Sequence, residues 1–271
     1  MTASLKVALS AADAARFGSD PLKRFETSLI AVRERIAAAC LRSERSPDDV
    51  RLLPVTKTVP PHILRYAFAT GIQNFGENKL QEARKKNAAL SDLPVRWSII
   101  GHLQTNKVKH LVRFASEFHA LDSIRLAHEL NCRLESLDRD LDVFVQVNTS
   151  GETSKYGLHP SEVIPFAQRL HEFPRLKPQG LMTLAMFSTD TNRVRTCFGL
   201  LRDLRDRVVA FHSDLSRLSM GMSGDFEIAI EEGANVVRVG QAIFGPRPES
   251  DAHYWPGLFS NPESSRQREN A

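Results

Sequence analysis

Apolar positions along this chain alternate between two periods. Short apolar runs rich in β-branched residues fall at 51–56, 72–75, 95–100, 117–121, 142–148, 176–182, 216–220 and 235–239. Between them, at about 60–70, 77–89, 104–115, 123–137, 159–172, 190–211 and 223–232, apolar residues recur three and four apart, the period of a helix with one face against a core. A further amphipathic helix is predicted over Leu22 to Leu41, ahead of the first run. The clearest helix starts at Asp190 and puts Val194, Cys197, Phe198, Leu201, Leu204 and Val208 on one side. The clearest strand is Asp142 to Val147. Strict strand–helix alternation predicts a parallel sheet. Eight strands is the number that closes a (β/α)8 barrel. An open doubly wound sheet is the other architecture that the alternation allows. Pro54 and Pro178 sit inside predicted strands, where proline removes a ladder donor.

Composition narrows the picture only a little. The 271 residues suit one barrel, for which about 250 are typical, or two small domains. A net charge of +4 comes from 36 basic and 32 acidic residues. The basic stretch Arg193 to Arg207 is broken by Asp203 and Asp206, as on a solvated helix face, so nucleic acid is not expected as a partner. Cys40, Cys132 and Cys197 lie far apart without CxxC spacing, which suits reduced thiols. Nine histidines show no metal-ligand spacing, so no metal is expected. No run of about 18 apolar residues occurs, and no processing signal stands at the start, so a cytoplasmic protein without membrane contact is expected. The domain reading is a flexible N-terminal extension over 1–20, a barrel over 21–248 and a C-terminal tail over 249–271, pinned by Tyr254 and Trp255. The expected state is a monomer or weak dimer.

Candidate chemistry gathers at predicted strand ends, where barrel enzymes place their sites. Lys57 ends the first run, and a long amine there has no packing reason to be present. It either reaches solvent along its stem or serves as a nucleophile with a lowered pKa. Two later stretches favour chemistry. Ser219 to Asp225 reads SMGMSGD, with Ser223 at an N-cap position for the next helix, and such a loop suits a phosphate. Val237 to Gly245 reads VRVGQAIFG and breaks at Gly240. Ending the last two strands, the pair matches the phosphate site that barrels build after strands seven and eight.

The segments LLPVTKTVP, FGENKLQEA, IGHLQTNKV, VNTSGETSKYG, GLMTL, LSMGMSGDFEIAIEEGA and VRVGQAIFG, in that order, resemble the pyridoxal phosphate homeostasis proteins. That family is built on a TIM barrel like the N-terminal domain of alanine racemase, and the likeness runs from about Val50 to Gly245. The resemblance implies an internal aldimine between Lys57 and pyridoxal 5′-phosphate. It also implies that Ser219, Gly221 and Ser223, with the backbone at Gly240 and Gln241, hold the phosphate, that Arg238 faces the pyridine nitrogen, and that Asn78 lines the pocket. The chain departs from the family pattern at Gln241, where threonine or serine is usual, and at Ser98, where histidine is usual.

Pyridoxal phosphate acts as an electron sink when its ring nitrogen is protonated beside a carboxylate. Arg238 cannot take that proton and stays charged, so the sink is weak. The leading expectation is therefore a binder that keeps the cofactor available, with little or no turnover and with apo forms of pyridoxal phosphate enzymes as recipients. An amino-acid racemase using the same aldimine is the alternative. A barrel holding a phosphorylated metabolite without a covalent bond is a third. A racemase needs acid–base groups on two faces, and the tyrosine that serves the second face in alanine racemases comes from an additional C-terminal domain. After Gly245 the sequence offers too few residues for one, and Tyr156 is the tyrosine expected nearest the mouth.

Overall fold

The computed structural model describes residues 9–248. Its centre is a ring of eight parallel strands: β1 (Arg51–Pro54), β2 (Asn74–Glu77), β3 (Arg96–Ile99), β4 (Ala115–Leu121), β5 (Leu141–Gln146), β6 (Leu176–Met182), β7 (Arg217–Ser219) and β8 (Val236–Val239). Their order is β1-β8-β7-β6-β5-β4-β3-β2. A single bridge, Val55 to Gly76, closes β1 onto β2, where Thr56 N donates to Gly76 O at 2.9 Å. Neighbours in space are neighbours in sequence all round the ring. A doubly wound sheet would reverse its order partway, so the barrel reading holds.

Around the ring lie α1 (Ala11–Phe17), α2 (Pro21–Arg42), α3 (Pro61–Ala69), α4 (Leu80–Ala89), α5 (Val108–Leu111), α6 (Ile124–Glu135), α7 (Val163–Arg169), α8 (Thr191–Val209), α9 (Phe226–Glu231) and α10 (Gln241–Phe244). Apolar side chains from these helices cover the outer faces of the strands, with Ile63, Ala83, Leu130, Phe198 and Phe226 all fully buried. Phe25 of α2 meets Phe244 of α10 edge-on at 5.3 Å and Phe17 of α1 at 6.3 Å, so three helices share one aromatic cluster.

The structure refines the sequence pattern in several places. The stretch expected as helix over 104–115 is a 3-10 turn at Thr105–Lys107 and one turn of α5, because Ala115 already pairs with Trp97 of β3. The helix expected from 223 begins at Phe226. Ser223 is thus not its N-cap; Asp225 holds that position, and its Oδ1 accepts from Met222 N at 2.5 Å. Pro54 ends β1. Pro178 lies opposite Val143 just where the register to β5 slips by one residue, a bulge that absorbs the missing donor. The pattern did not reveal α1, which sits within the 1–20 extension: Ser10 and Asp13 cap it reciprocally, and Phe17 is buried. The tail over 249–271, with Tyr254 and Trp255, lies outside the described residues.

Candidate functional site

Lys57 stands three residues beyond the end of β1, and its two neighbours are fixed from outside the strand. Thr56 is fully buried; its hydroxyl donates to Glu77 Oε1 at 2.5 Å, and its carbonyl accepts from Lys86 Nζ at 2.7 Å. Thr58 N donates to Glu82 Oε1 at 2.8 Å. Lys86 spends its remaining protons on Glu77 Oε1 at 2.5 Å and Glu82 Oε1 at 2.9 Å. Burial pushes the Glu77 carboxyl above the usual range, although Lys86 pulls the other way, and Glu77 Oε2 is buried without a partner among the described residues. Lys57 itself donates no hydrogen bond among the described residues. Burial, assisted by the charges of Arg247 and Arg238, lowers its pKa to about 8 against the opposing pull of Glu77 and Glu82. About a tenth of such an amine is unprotonated at pH 7.

Across the mouth stands a second buried cation. Arg238, on β8, is 2% exposed; it donates through one terminal nitrogen to Ser219 Oγ at 2.8 Å and through the other to Thr183 O at 2.7 Å. Its Nε is buried without a partner among the described residues. Burial lowers its pKa to about 10, which leaves it charged at neutral pH, and Asp225 is the carboxylate that offsets the loss.

A polar column runs down the barrel from Arg238. Ser219 Oγ is 3.0 Å from His119 Nδ1, and His119 Nε2 is 3.1 Å from Glu117 Oε2. Glu117 also accepts from Ser98 Oγ at 2.7 Å and from both terminal nitrogens of Arg51 at 2.7 and 2.9 Å. Burial alone would raise the Glu117 pKa, but the hydrogen bonds and charges of His119 and Arg51 outweigh it and hold the carboxyl well below the usual range. An ionised Glu117 only accepts, so His119 donates from Nε2. Burial disfavours protonation of that imidazole, and Arg238 and Arg51 add to the effect although Glu117 opposes it. With His119 neutral, its Nδ1 accepts, and the Ser219 hydroxyl proton goes there. Every member then has a partner only if the chain runs Arg238 to Ser219 to His119 to Glu117.

The two loops expected to take a phosphate meet. Ser223 Oγ accepts from Gly240 N at 3.2 Å and from Ala242 N at 3.5 Å, joining the loop after β7 to the one after β8. Gly221 has φ 94, and its carbonyl accepts from Arg238 N at 2.9 Å. A Cβ at Gly221 would lie 2.6 Å from Ala229 Cβ, so only glycine lets the loop press onto α9. Gln241 opens α10 beside Gly240. Asn78 follows β2 and is exposed; its carbonyl packs where a side chain on Gly101 would have to stand, 2.1 Å away. On another side of the mouth, Tyr156 stacks on His102 at 3.8 Å and 7°.

Lys57 and Arg238 are thus drawn together closely enough for one charge to act on the other. Ser219 is turned to Arg238 and His119, inside the strand layer. Sequence reasoning gave no role to Glu77, Glu82, Lys86, Glu117, His119 or Asp225. A signal for two of them was present: in the run 117–121, Glu117 and His119 alternate with Phe118 and Ala120, the period of a strand whose inner face is polar.

The family model for the alanine racemase N-terminal domain matches residues 28–248. The pyridoxal phosphate homeostasis protein of Aquifex aeolicus is 42% identical over 80% of this chain and 95% of its own length. Its namesake from Pseudomonas aeruginosa is 39% identical over 80% and 93%. The structure of PipY from Synechococcus elongatus with pyridoxal phosphate bound superposes with a TM-score of 0.69 at 33% identity, covering 79% of this chain and 100% of PipY. The chain belongs to the pyridoxal phosphate homeostasis proteins, within the alanine racemase N-terminal domain family.

Proposed function

We propose that this chain binds pyridoxal 5′-phosphate covalently through Lys57 and serves to keep the cofactor available in the cell, with little or no turnover. The observation that carries the reading is the pairing of Lys57, whose pKa is about 8, with the buried Arg238, whose Nε lacks a partner among the described residues. An orphaned buried donor costs stability unless something accepts from it. A pyridine nitrogen is an acceptor of the right kind.

When bound, the cofactor supplies an aldehyde that an amine can attack and a ring that withdraws electrons. The side chains have separable tasks. The unprotonated Lys57 amine is the nucleophile. Ser223, Gly221 and the backbone at Gly240 and Gln241 cradle the phosphate, and Asn78 borders the pocket. Arg238 donates toward the ring nitrogen and gives it no proton, which leaves the electron sink weak. We assign Ser219 to orienting Arg238 rather than to the phosphate, because its one proton goes to His119. Weak activation suits storage and hand-over to apo-enzymes better than turnover. Relatives named for pyridoxal phosphate homeostasis, and PipY with its bound cofactor, support the same reading. Among the described residues no helix is long and apolar enough to cross a membrane. A cytoplasmic monomer or weak dimer is the setting we propose.

The test is the visible spectrum of the protein after titration with pyridoxal phosphate, followed by borohydride reduction and peptide mapping. A visible band and a reduced adduct on Lys57 are expected. An adduct on another lysine, or none, would overturn the reading.

A further inference from the structure

Helix α1 lies before residues 28–248, the segment matched by the family model, yet it is fastened to the loop that carries Lys57. Arg16 donates from one terminal nitrogen to Thr58 O at 2.7 Å and from the other to Thr58 Oγ at 2.8 Å. Thr58 has φ 63. A β-branched residue in the left-handed region is a genuine outlier, and such a conformation persists only where the surroundings over-determine it. Here three contacts hold it: Val59 N donates to Thr56 O at 3.0 Å and closes the turn, Glu82 accepts from the Thr58 N–H on the α4 side, and Arg16 donates to the carbonyl and hydroxyl from the α1 side.

Helix α1 is itself held to the barrel. Asp13 Oδ2 is 3.0 Å from His62 Nε2 on α3, and Arg24 of α2 donates to Arg16 O at 2.5 Å. Phe17 packs on Phe25. Gly245 leaves room for the Arg24 side chain, since a Cβ there would fall 2.7 Å from its guanidinium.

We propose that Arg16 is a positioning residue for Lys57: by holding Thr58 in the left-handed turn, α1 aims the neighbouring amine into the barrel mouth. Without the guanidinium, Thr58 relaxes toward ordinary backbone angles, residue 57 turns with it, and the amine samples water. The inference rests on Lys57 being the cofactor-bearing lysine. Arginine is suited to the task because its planar fork reaches a carbonyl and a hydroxyl at once, which an ammonium does not.

The test uses the full chain with Arg16→Ala, Arg16→Lys, Thr58→Gly and the double variant Arg16→Ala/Thr58→Gly. Two quantities are read: the rate at which Lys57 of the cofactor-free protein is acetylated across pH, by peptide mass spectrometry, and the affinity for pyridoxal phosphate by titration. Arg16→Ala, which loses both charge-assisted hydrogen bonds to Thr58, should shift the Lys57 labelling midpoint upward and weaken affinity by at least about tenfold. Arg16→Lys should recover only part of the loss. Glycine takes positive φ without strain, so in the Thr58→Gly background the loss of Arg16 should cost less than about threefold. Unchanged labelling and affinity in Arg16→Ala would overturn the proposal. So would an undiminished loss in the glycine background, because Arg16 would then act on the fold and not through Thr58. Absence of a visible band in the unaltered protein would sink the cofactor reading instead, and the labelling profiles would still decide whether Arg16 positions Lys57.

Discussion

Lys86 Nζ lies 2.5 Å from Glu77 Oε1, with the two side chains only 3% and 0% exposed. The pair sits under the Lys57 loop and ties β2, α4 and the Thr56 carbonyl into one unit. A buried ion pair adds little net stability, but removal of one partner strands the other charge.

Lys86→Met should therefore destabilise the protein by about 3–5 kcal/mol. Lys86→Met combined with Glu77→Gln should recover a good part of that loss, since no naked carboxylate remains. Urea unfolding of the three proteins measures both. A single-variant cost below about 1 kcal/mol, the range of a surface pair, would show that water reaches the site.

Lys57 provides a pH-dependent signature. Unfolded, its amine titrates near 10.5; folded, near 8. Between those values the unfolded chain holds a proton that the folded chain has released, so the stability tied to this group rises with pH. Below 8 the penalty of burying the charge is fully present. Lys57→Met should accordingly stabilise the cofactor-free protein at pH 7 by up to about 3 kcal/mol. That advantage should shrink from pH 8 and vanish by about 10.5. Thermal unfolding of both proteins across pH measures it. A gain that is flat with pH would mean the amine is not desolvated.

Ser219 and Ser223 should separate in a competition experiment. Ser223 joins the Gly240 and Ala242 amides, whereas Ser219 supports Arg238. Ser223→Ala should weaken competition by inorganic phosphate about as much as it weakens pyridoxal phosphate binding. Ser219→Ala should leave phosphate competition unchanged and lower affinity for the whole cofactor about tenfold, as one charge-assisted hydrogen bond would. Equal effects of both variants on inorganic phosphate would return Ser219 to the phosphate site.

Strand count and order were legible because a barrel needs little more than alternating periods, and all eight runs fall on observed strands. Lys57 and Arg238 were legible because each is a charge at the end of, or within, an apolar run. What escaped is long-range pairing. Lys86 reads as one of several lysines on a polar helix until β2 brings Glu77 beneath it. The same holds for His119 and Ser219, a hundred residues apart and joined by one hydrogen bond. Ser98, a departure without meaning in the sequence, proves to donate to Glu117. Helix α1 escaped for another reason: seven residues with a single large buried side chain carry no periodic signal.

Free amino acids should be racemised negligibly. Racemisation removes a proton from one face of the bound substrate and returns it on the other, so two positioned acid–base groups are required. Lys57 can serve one face. For the other, Tyr156 was the sequence candidate, but its ring lies flat on His102, and the side chain is 57% exposed. Glu77 is buried and committed to Lys86 and Thr56 through Oε1. With Arg238 facing the ring nitrogen, as proposed, the sink that would acidify the substrate would also be weak, because Arg238 keeps its own proton. Incubation with several L-amino acids in deuterated water, followed by NMR and chiral chromatography, should show the visible band responding to added amino acid while the α-proton stays nearly untouched. Turnover at about 1 s⁻¹ or faster, the lower end for ordinary enzymes, would overturn the storage reading in favour of a racemase. Tyr156→Phe would then tell whether the stacked tyrosine swings in to act as the second acid.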